Sequence, residues 1–113
     1  MRESIYATGL PFSGKPDLPA TLRDLAALLP ACAGIRRWGT ASLDLTYVAA
    51  GRYDGFWERD LKIWDTAAGI VIAREAGAIV EGINPEQSAE KTSDVICASA
   101  VQFDAFAKLI RSS

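Results

Sequence analysis

Two carboxylates in the stretch 54–77 are the first residues whose positions suggest chemistry. Glu58 ends a strand-like segment, and Asp65, seven positions later, stands where an apolar helical segment begins. In an α/β fold both positions face the crevice at the carboxyl edge of the sheet, where ligands usually bind. On residue type alone a plain structural interpretation is favoured, with Asp65 as a helix N-cap and Glu58 as a solvated surface charge.

Composition narrows the chemistry further. The chain of 113 residues has no histidine, which excludes histidine-dependent triads and most zinc sites, and leaves carboxylates, hydroxyls, metal ions and the backbone. Its 12 basic and 14 acidic residues form no basic stripe, so we expect no nucleic-acid partner. The two cysteines, Cys32 and Cys97, lie in apolar stretches and are expected to be buried free thiols.

The same composition suggests a location. No apolar run approaches the roughly 20 residues of a membrane span, and the first residues lack a signal-peptide core. We therefore expect a soluble, cytoplasmic protein without a membrane partner.

One apparent phosphate-binding loop fails on inspection. The segment 9–15 follows a predicted strand and precedes a predicted helix, and it reads Gly-Leu-Pro-Phe-Ser-Gly-Lys. A P-loop needs a Ser or Thr hydroxyl at the next position for magnesium, but residue 16 is Pro16. Proline also removes backbone donors from the loop, so nucleotide binding here is a distant alternative.

The hydrophobic pattern predicts a single α/β domain over residues 1–113, with the order β-α-β-α-β-α-β-β-α. Strands are predicted at 4–8, 35–38, 53–58, 78–80 and 95–98, and helices at 18–33, 41–50, 66–76 and 101–110. The first helix should bury a row of apolar residues at Leu18, Leu22, Leu25, Leu29 and Cys32 and end at Gly34. The second helix, which Thr40 can cap, also alternates as a strand would, although its Ala-Ala-Gly ending at Gly51 favours a helix. Gly77 should end the third helix, and the last helix should turn Phe103, Phe106 and Ile110 inward.

Several segments together resemble the inositol monophosphatase family. Residues 64–69 with 75–77 resemble its second signature, Trp-Asp, a small-residue pair, Gly, several apolar residues and Glu-Ala-Gly-Gly. Residues 39–45 and 47–51 look like the family's Gly-Ser/Thr-Ala-Ala and Val-Ala-Ala-Gly segments, and 7–12 is similar to its Ala-Thr-Gly-Phe-Pro-Phe segment. The matches follow the family order over nearly the whole chain.

The resemblance implies roles for three residues. Asp65 matches a metal ligand, Glu58 matches a carboxylate that contacts a substrate hydroxyl, and Ala41 matches a residue lining the substrate pocket. Catalytic residues beyond these stay unassigned. Two positions depart from the pattern: Ile63 replaces the usual Pro before Trp-Asp, and Ala78 replaces the second Gly of Gly-Gly.

The resemblance also implies what this chain lacks. The family's first signature, Asp-Pro-Leu-Asp-Gly-Thr, and an upstream metal-binding Glu belong to an amino-terminal half that does not occur here. The implied fold is therefore the carboxyl-terminal domain of the family fold, a layered sandwich with a largely parallel mixed sheet flanked by helices. Magnesium needs near-octahedral oxygen coordination, so Asp65 alone makes an incomplete Mg²⁺ site.

The implied function is that of the carboxyl-terminal part of a Mg²⁺-dependent phosphatase. Its substrate would be a small phosphorylated polyol, an inositol or sugar phosphate monoester attacked in line by water with metal assistance. The chain would be inactive alone, and its partner would be the missing amino-terminal half or a second copy. The alternative is a non-catalytic folded domain, an interaction remnant of a truncated phosphatase gene.

Overall fold

A five-stranded mixed sheet forms the centre of the protein. The computed structural model describes residues 3–9, 18–37, 41–59, 61, 63–92 and 94–112, with only the backbone of 18, 42 and 63–65. The strands are Ile5–Thr8 (β1), Gly34–Arg36 (β2), Gly55–Glu58 (β3), Ile79–Gly82 (β4) and Val95–Ala98 (β5). They lie in the order β2-β1-β3-β5-β4, with β1 parallel to β2 and β3, and β5 antiparallel to β3 and β4. Four strands thus share one direction.

Helices cover both faces of this sheet. They are Leu18–Leu28 (α1), followed by a 3₁₀ turn at Leu29–Ala31, then Ala41–Ala49 (α2), Ile63–Glu75 (α3) and Phe103–Arg111 (α4). Because successive strand side chains point to opposite faces, the buried residues divide into two cores. One core joins the sheet to α2 and α3, and includes Ala7, Leu45, Phe56, Ile70 and Cys97. The other joins it to α1 and α4, and includes Tyr6, Leu28, Trp57, Ile96 and Phe106.

Glycines end the two central helices. Gly51 follows α2 with φ of 77°, and Gly77 follows α3 with φ of 91°, a backbone conformation that favours glycine. The amide of Ala78 donates to the carbonyl of Ala73, and the amide of Arg52 donates to that of Tyr47. Both helices therefore end in the same glycine-dependent motif, as the sequence predicted for Gly51 and Gly77.

The element order and the mixed α/β sheet confirm the predicted fold class, and α2 is a helix rather than a strand. The buried face of α4, with Phe103, Phe106 and Ile110, is also confirmed. Thr40, the predicted cap of α2, lies outside the described residues. So does the P-loop-like segment after Gly9. Within the described residues no helix has both the length and the apolar character needed to cross a membrane.

The predicted inward face of α1 is only partly correct, because Leu25 and Cys32 pack against the core beneath α1 and α4 but Leu22 and Leu29 do not. Leu22 and Leu29 are 56% and 54% exposed, while Thr21, Asp24 and Leu28 are buried. Apolar spacing could not identify Asp24 as part of the inner row, because this buried carboxylate is stabilised by hydrogen bonds in the core. The helix also ends earlier than predicted, and Gly34 begins β2 rather than closing α1.

Candidate active site at the carboxyl edge of the sheet

The carboxyl edge of the sheet collects the residues predicted to bind ligands. Strands β1, β2 and β3 are parallel and end at this edge, while α2 and α3 begin there because each follows one of these strands. Ala41 is the first residue of α2 and is buried, and Glu58 is the last residue of β3 and is partly buried. Asp65 is the third residue of α3, and its side chain lies outside the described part.

This placement corrects one structural interpretation. Helix α3 begins at Ile63, so Asp65 stands inside its first turn and is not the N-cap. A carboxylate in the first turn is still favoured by the helix dipole. The geometry therefore leaves both the dipole role and the ligand role of Asp65 available.

Glu58 lies directly against Gly9. The register pairs Thr8 with Trp57, so residues 9 and 58 are neighbours just beyond the end of the β1–β3 ladder. A β-carbon built on Gly9 would stand 2.1 Å from Oε1 and 2.5 Å from Oε2 of Glu58. A side chain at position 9 would therefore displace the Glu58 carboxylate, so Gly9 keeps open the space that this carboxylate occupies.

The opposite face of the same strand end carries a buried ion pair. Asp24 of α1 is 0% exposed. Its Oδ2 accepts hydrogen bonds from Trp57 Nε1 at 3.0 Å and Arg59 Nε at 2.8 Å, and its Oδ1 accepts from Arg59 Nη2 at 3.0 Å. One carboxylate thus contacts both sequence neighbours of Glu58.

A second buried aspartate has no such partners among the described residues. Asp44 in the first turn of α2 is 1% exposed. Both its carboxylate oxygens lack a hydrogen-bond partner, and in the part of the chain that is described no other buried side chain is in this condition. Burial raises the pKa of Asp44 to about 7, because a desolvated carboxylate favours its neutral form.

The described residues do not complete a metal site. Across 3–9, 18–37, 41–59, 61, 63–92 and 94–112, no group of three or more His, Cys, Asp or Glu side chains could hold an ion. Magnesium requires several oxygen ligands, so these side chains alone do not fit it. Both cysteines are free thiols, but only Cys97 is buried as expected, whereas Cys32 is half-buried. Burial raises the pKa of Cys97 to about 12, which makes it unreactive.

The sequence profile of the inositol monophosphatase family matches residues 1–113, so this chain belongs to that family. Among curated relatives, the inositol-1-monophosphatase of Caulobacter vibrioides is 50% identical over 82 residues, which are 73% of this chain and 32% of that protein. The Nus factor SuhB of Vibrio cholerae is 49% identical over 80 residues, which are 71% of this chain and 30% of that protein.

The fold is similar to that of solved relatives. The extragenic suppressor protein suhB of Bartonella henselae superposes with a TM-score of 0.88 at 38% identity, over 99% of this chain and 43% of that one. The chain therefore spans about a third of the curated relatives and less than half of the solved structure.

Three structural features of this region escaped the sequence analysis: the role of Gly9, the ion pair of Asp24, and the isolated carboxylate of Asp44. Asp24 was missed because an apolar-periodicity search ignores charged positions, although it lies three residues after Thr21 and four before Leu28 on one helix face. Asp44 shares a face with Ala41, Leu45 and Val48, and that spacing was a usable signal.

Proposed function

We propose that this chain is the carboxyl-terminal part of a Mg²⁺-dependent phosphatase that hydrolyses inositol or sugar phosphate monoesters. The observation that carries the proposal is topological: Ala41, Glu58 and the third residue of α3, Asp65, belong to elements that meet at one edge of the sheet. Family membership supports a phosphatase reaction. The small share of the relatives' length that this chain covers supports a partial active site.

Each of the three residues has a task suited to its chemistry. Glu58 would accept a hydrogen bond from a substrate hydroxyl, a role that the space beside Gly9 allows. Ala41 would form a small wall of the pocket at the start of α2. Asp65 would supply one oxygen ligand to Mg²⁺, and the remaining ligands would come from other parts of the whole protein.

Because this chain supplies only part of the Mg²⁺ site, the isolated chain is inactive. When bound, Mg²⁺ would polarise the phosphate ester, and one ligand does not hold it at useful concentrations. We propose that an amino-terminal half, or a second copy of the chain, completes the site, and that the protein acts in the cytoplasm.

The first test is phosphate release from inositol 1-phosphate with Mg²⁺. The 113-residue chain alone should show negligible turnover, and turnover of about 1 per second or more would contradict the partial-site proposal. Joining the chain to the amino-terminal half of a relative should give Mg²⁺-dependent activity.

The second test is Asp65→Asn in that joined protein. It should lower kcat/KM at least about a hundredfold by removing a ligand charge, with little change in the midpoint of thermal unfolding. Asp104→Asn is the matched control, because Asp104 is an exposed aspartate in the first turn of α4. Loss of stability with activity intact would assign Asp65 a structural role only.

A non-catalytic function is the second candidate, and the similarity to the Nus factor SuhB favours it, because that relative carries a name unconnected with hydrolysis. In this case the joined protein would bind a macromolecular partner, and Asp65→Asn would leave that binding unchanged.

A further inference from the structure

Asp24 of α1 binds the end of β3 on one face of the sheet, and Glu58 lies on the other face. Trp57 belongs to the core beneath α1 and α4, whereas Phe56 belongs to the core beneath α2 and α3. Because strand side chains alternate, Glu58 follows Phe56 to the α2–α3 side, where its carboxylate lies against Gly9. Trp57 and Arg59, the sequence neighbours of Glu58, both donate hydrogen bonds to Asp24.

Asp24 accepts three hydrogen bonds whose geometry fixes the position of their donors. Arg59 donates through Nε at 2.8 Å and Nη2 at 3.0 Å to the two oxygens of Asp24, which is a bidentate pair. Its side chain is 16% exposed and that of Asp24 is 0% exposed, so solvent screens the pair little. The indole of Trp57 adds a third bond to the same carboxylate at 3.0 Å.

The backbone of this strand end is held as well. Thr8 Oγ1 donates to the carbonyl of Trp57 at 2.7 Å, which joins the last residue of β1 to the residue before the last in β3. The residue before Glu58 is thus fixed through its side chain and its carbonyl, and the residue after it through its guanidinium. A strand end whose flanking residues are both fixed sets the direction of the Cα–Cβ bond of the residue between them.

We propose that Asp24 is a positioning residue for Glu58: its bonds to Trp57 and Arg59 hold the end of β3 so that the Glu58 carboxylate stays beside Gly9 and selects substrates with a suitably placed hydroxyl. The inference rests on the proposed function for its consequence in selectivity, but the positional part concerns this chain alone. Asp24 acts through Glu58 and does not itself contact the substrate.

The positional part is tested by NMR on the 113-residue chain. Asp24→Asn keeps the side-chain shape but loses the charge and one acceptor, so the Gly9 amide and the Glu58 side-chain carboxyl resonance should both shift. Asp104→Asn, a charge removal of the same kind at an exposed helix position, should leave both resonances in place. Unmoved resonances in a folded Asp24→Asn chain would overturn the proposal.

Trp57→Phe keeps the test decisive if Asp24→Asn does not fold. It removes one donor and leaves the bidentate pair of Asp24 and Arg59 intact. The same two resonances should shift by a smaller amount, and an absence of any shift would again contradict the proposal.

The selectivity part is tested in the joined protein with two substrates. Inositol 1-phosphate offers hydroxyls to Glu58, whereas p-nitrophenyl phosphate offers none. Asp24→Asn should lower the ratio of kcat/KM for the first over the second by about tenfold, mainly through KM for inositol 1-phosphate. In a Glu58→Gln background it should change that ratio no further.

Each outcome has a distinct meaning. An equal loss on both substrates would show that Asp24 only supports the fold, and would overturn the selectivity claim. A joined wild-type protein that hydrolyses neither substrate would contradict the proposed function, while the Gly9 and Glu58 resonances would still decide whether Asp24 positions Glu58.

Discussion

Two aspartates are buried in this small protein to nearly the same degree, with opposite surroundings. Asp24 on α1 is 0% exposed and receives hydrogen bonds from Trp57 and Arg59. Asp44 on α2 is 1% exposed, and both its oxygens lack partners among the described residues. Burial costs each carboxylate its hydration, but only the first regains that loss through charged and polar contacts.

The difference separates the two helical layers. The layer of α1 and α4 satisfies its buried charge from within the chain. The layer of α2 and α3 contains a carboxylate without a hydrogen-bond partner among the described residues. Both layers expose apolar side chains: Leu43, Val71 and Ile72 on this one, and Leu22, Leu29 and Val101 on the side of α1 and α4. The unpaired buried carboxylate, rather than the exposed apolar residues, therefore distinguishes the α2–α3 layer.

The largest effect that would sharpen this comparison is the removal of Asp24. Asp24→Ala leaves the guanidinium of Arg59 and the indole of Trp57 without their buried acceptor, and should lower the free energy of unfolding by about 3–5 kcal/mol. Urea denaturation at neutral pH measures this. A loss below about 1 kcal/mol would mean that the pair is loosely held and that the two aspartates do not differ in the way described.

The second effect has the opposite sign. Asp44→Asn keeps the side-chain volume and removes a charge that has no partner, so at pH 8 it should raise the free energy of unfolding by about 1–3 kcal/mol. Glu86→Gln, the loss of an exposed carboxylate, is the matched control and should change stability by less than about 0.5 kcal/mol. Destabilisation by Asp44→Asn would indicate that the carboxylate has a stabilising contact after all.

The pH dependence gives a third, smaller effect. The pKa of Asp44 rises from 3.8 in the unfolded reference to about 7 in the fold, so between these values the folded protein binds more protons. Its stability should therefore fall as pH rises from about 4 to about 7 and level off above that range. The stability difference between Asp44→Asn and the wild type should grow by about 1–2 kcal/mol from pH 6 to pH 8. A difference that stays constant with pH would show that Asp44 does not titrate in this range.

Regular elements were predictable because their signals are local. The short apolar run of β1 closed by Gly9 and the glycines after α2 and α3 are signals between residues close in sequence, and these elements appear where predicted to within a few residues. The inner face of α1 was not predictable in this way, because Asp24 is buried by partners 33 and 35 residues away. Tertiary pairing there overrides the rule that charged residues face solvent.

The features of the candidate site also differ in how well the sequence predicts them. The positions of Ala41 and Glu58 at the carboxyl edge follow from element order, which the sequence predicts well. The contact of Glu58 with Gly9 depends on the register of β1 against β3, and no local pattern specifies that register. The ligand role of Asp65 came from family resemblance and stays a prediction.

The smallest effect on stability is expected at the exposed face of α3, and it extends the comparison to association. Val71 and Ile72 are 60% and 44% exposed, so replacing both with serine should change the free energy of unfolding by less than about 1 kcal/mol. If the α2–α3 layer is a surface that seeks a partner, the wild-type chain should self-associate at micromolar concentration, and Val71→Ser with Ile72→Ser should weaken that association at least tenfold. Val101→Ser is the matched control. Val101 is 91% exposed just before α4, so its replacement removes the same kind of apolar surface from the opposite layer. Sedimentation velocity over a concentration series measures the association. Two results would contradict this expectation: a wild-type chain that stays monomeric at high concentration, or a Val101→Ser chain that dissociates as readily as the α3 variant. Either would show that the α2–α3 layer, which contains Asp44, associates no more strongly than the α1–α4 layer, which contains Asp24.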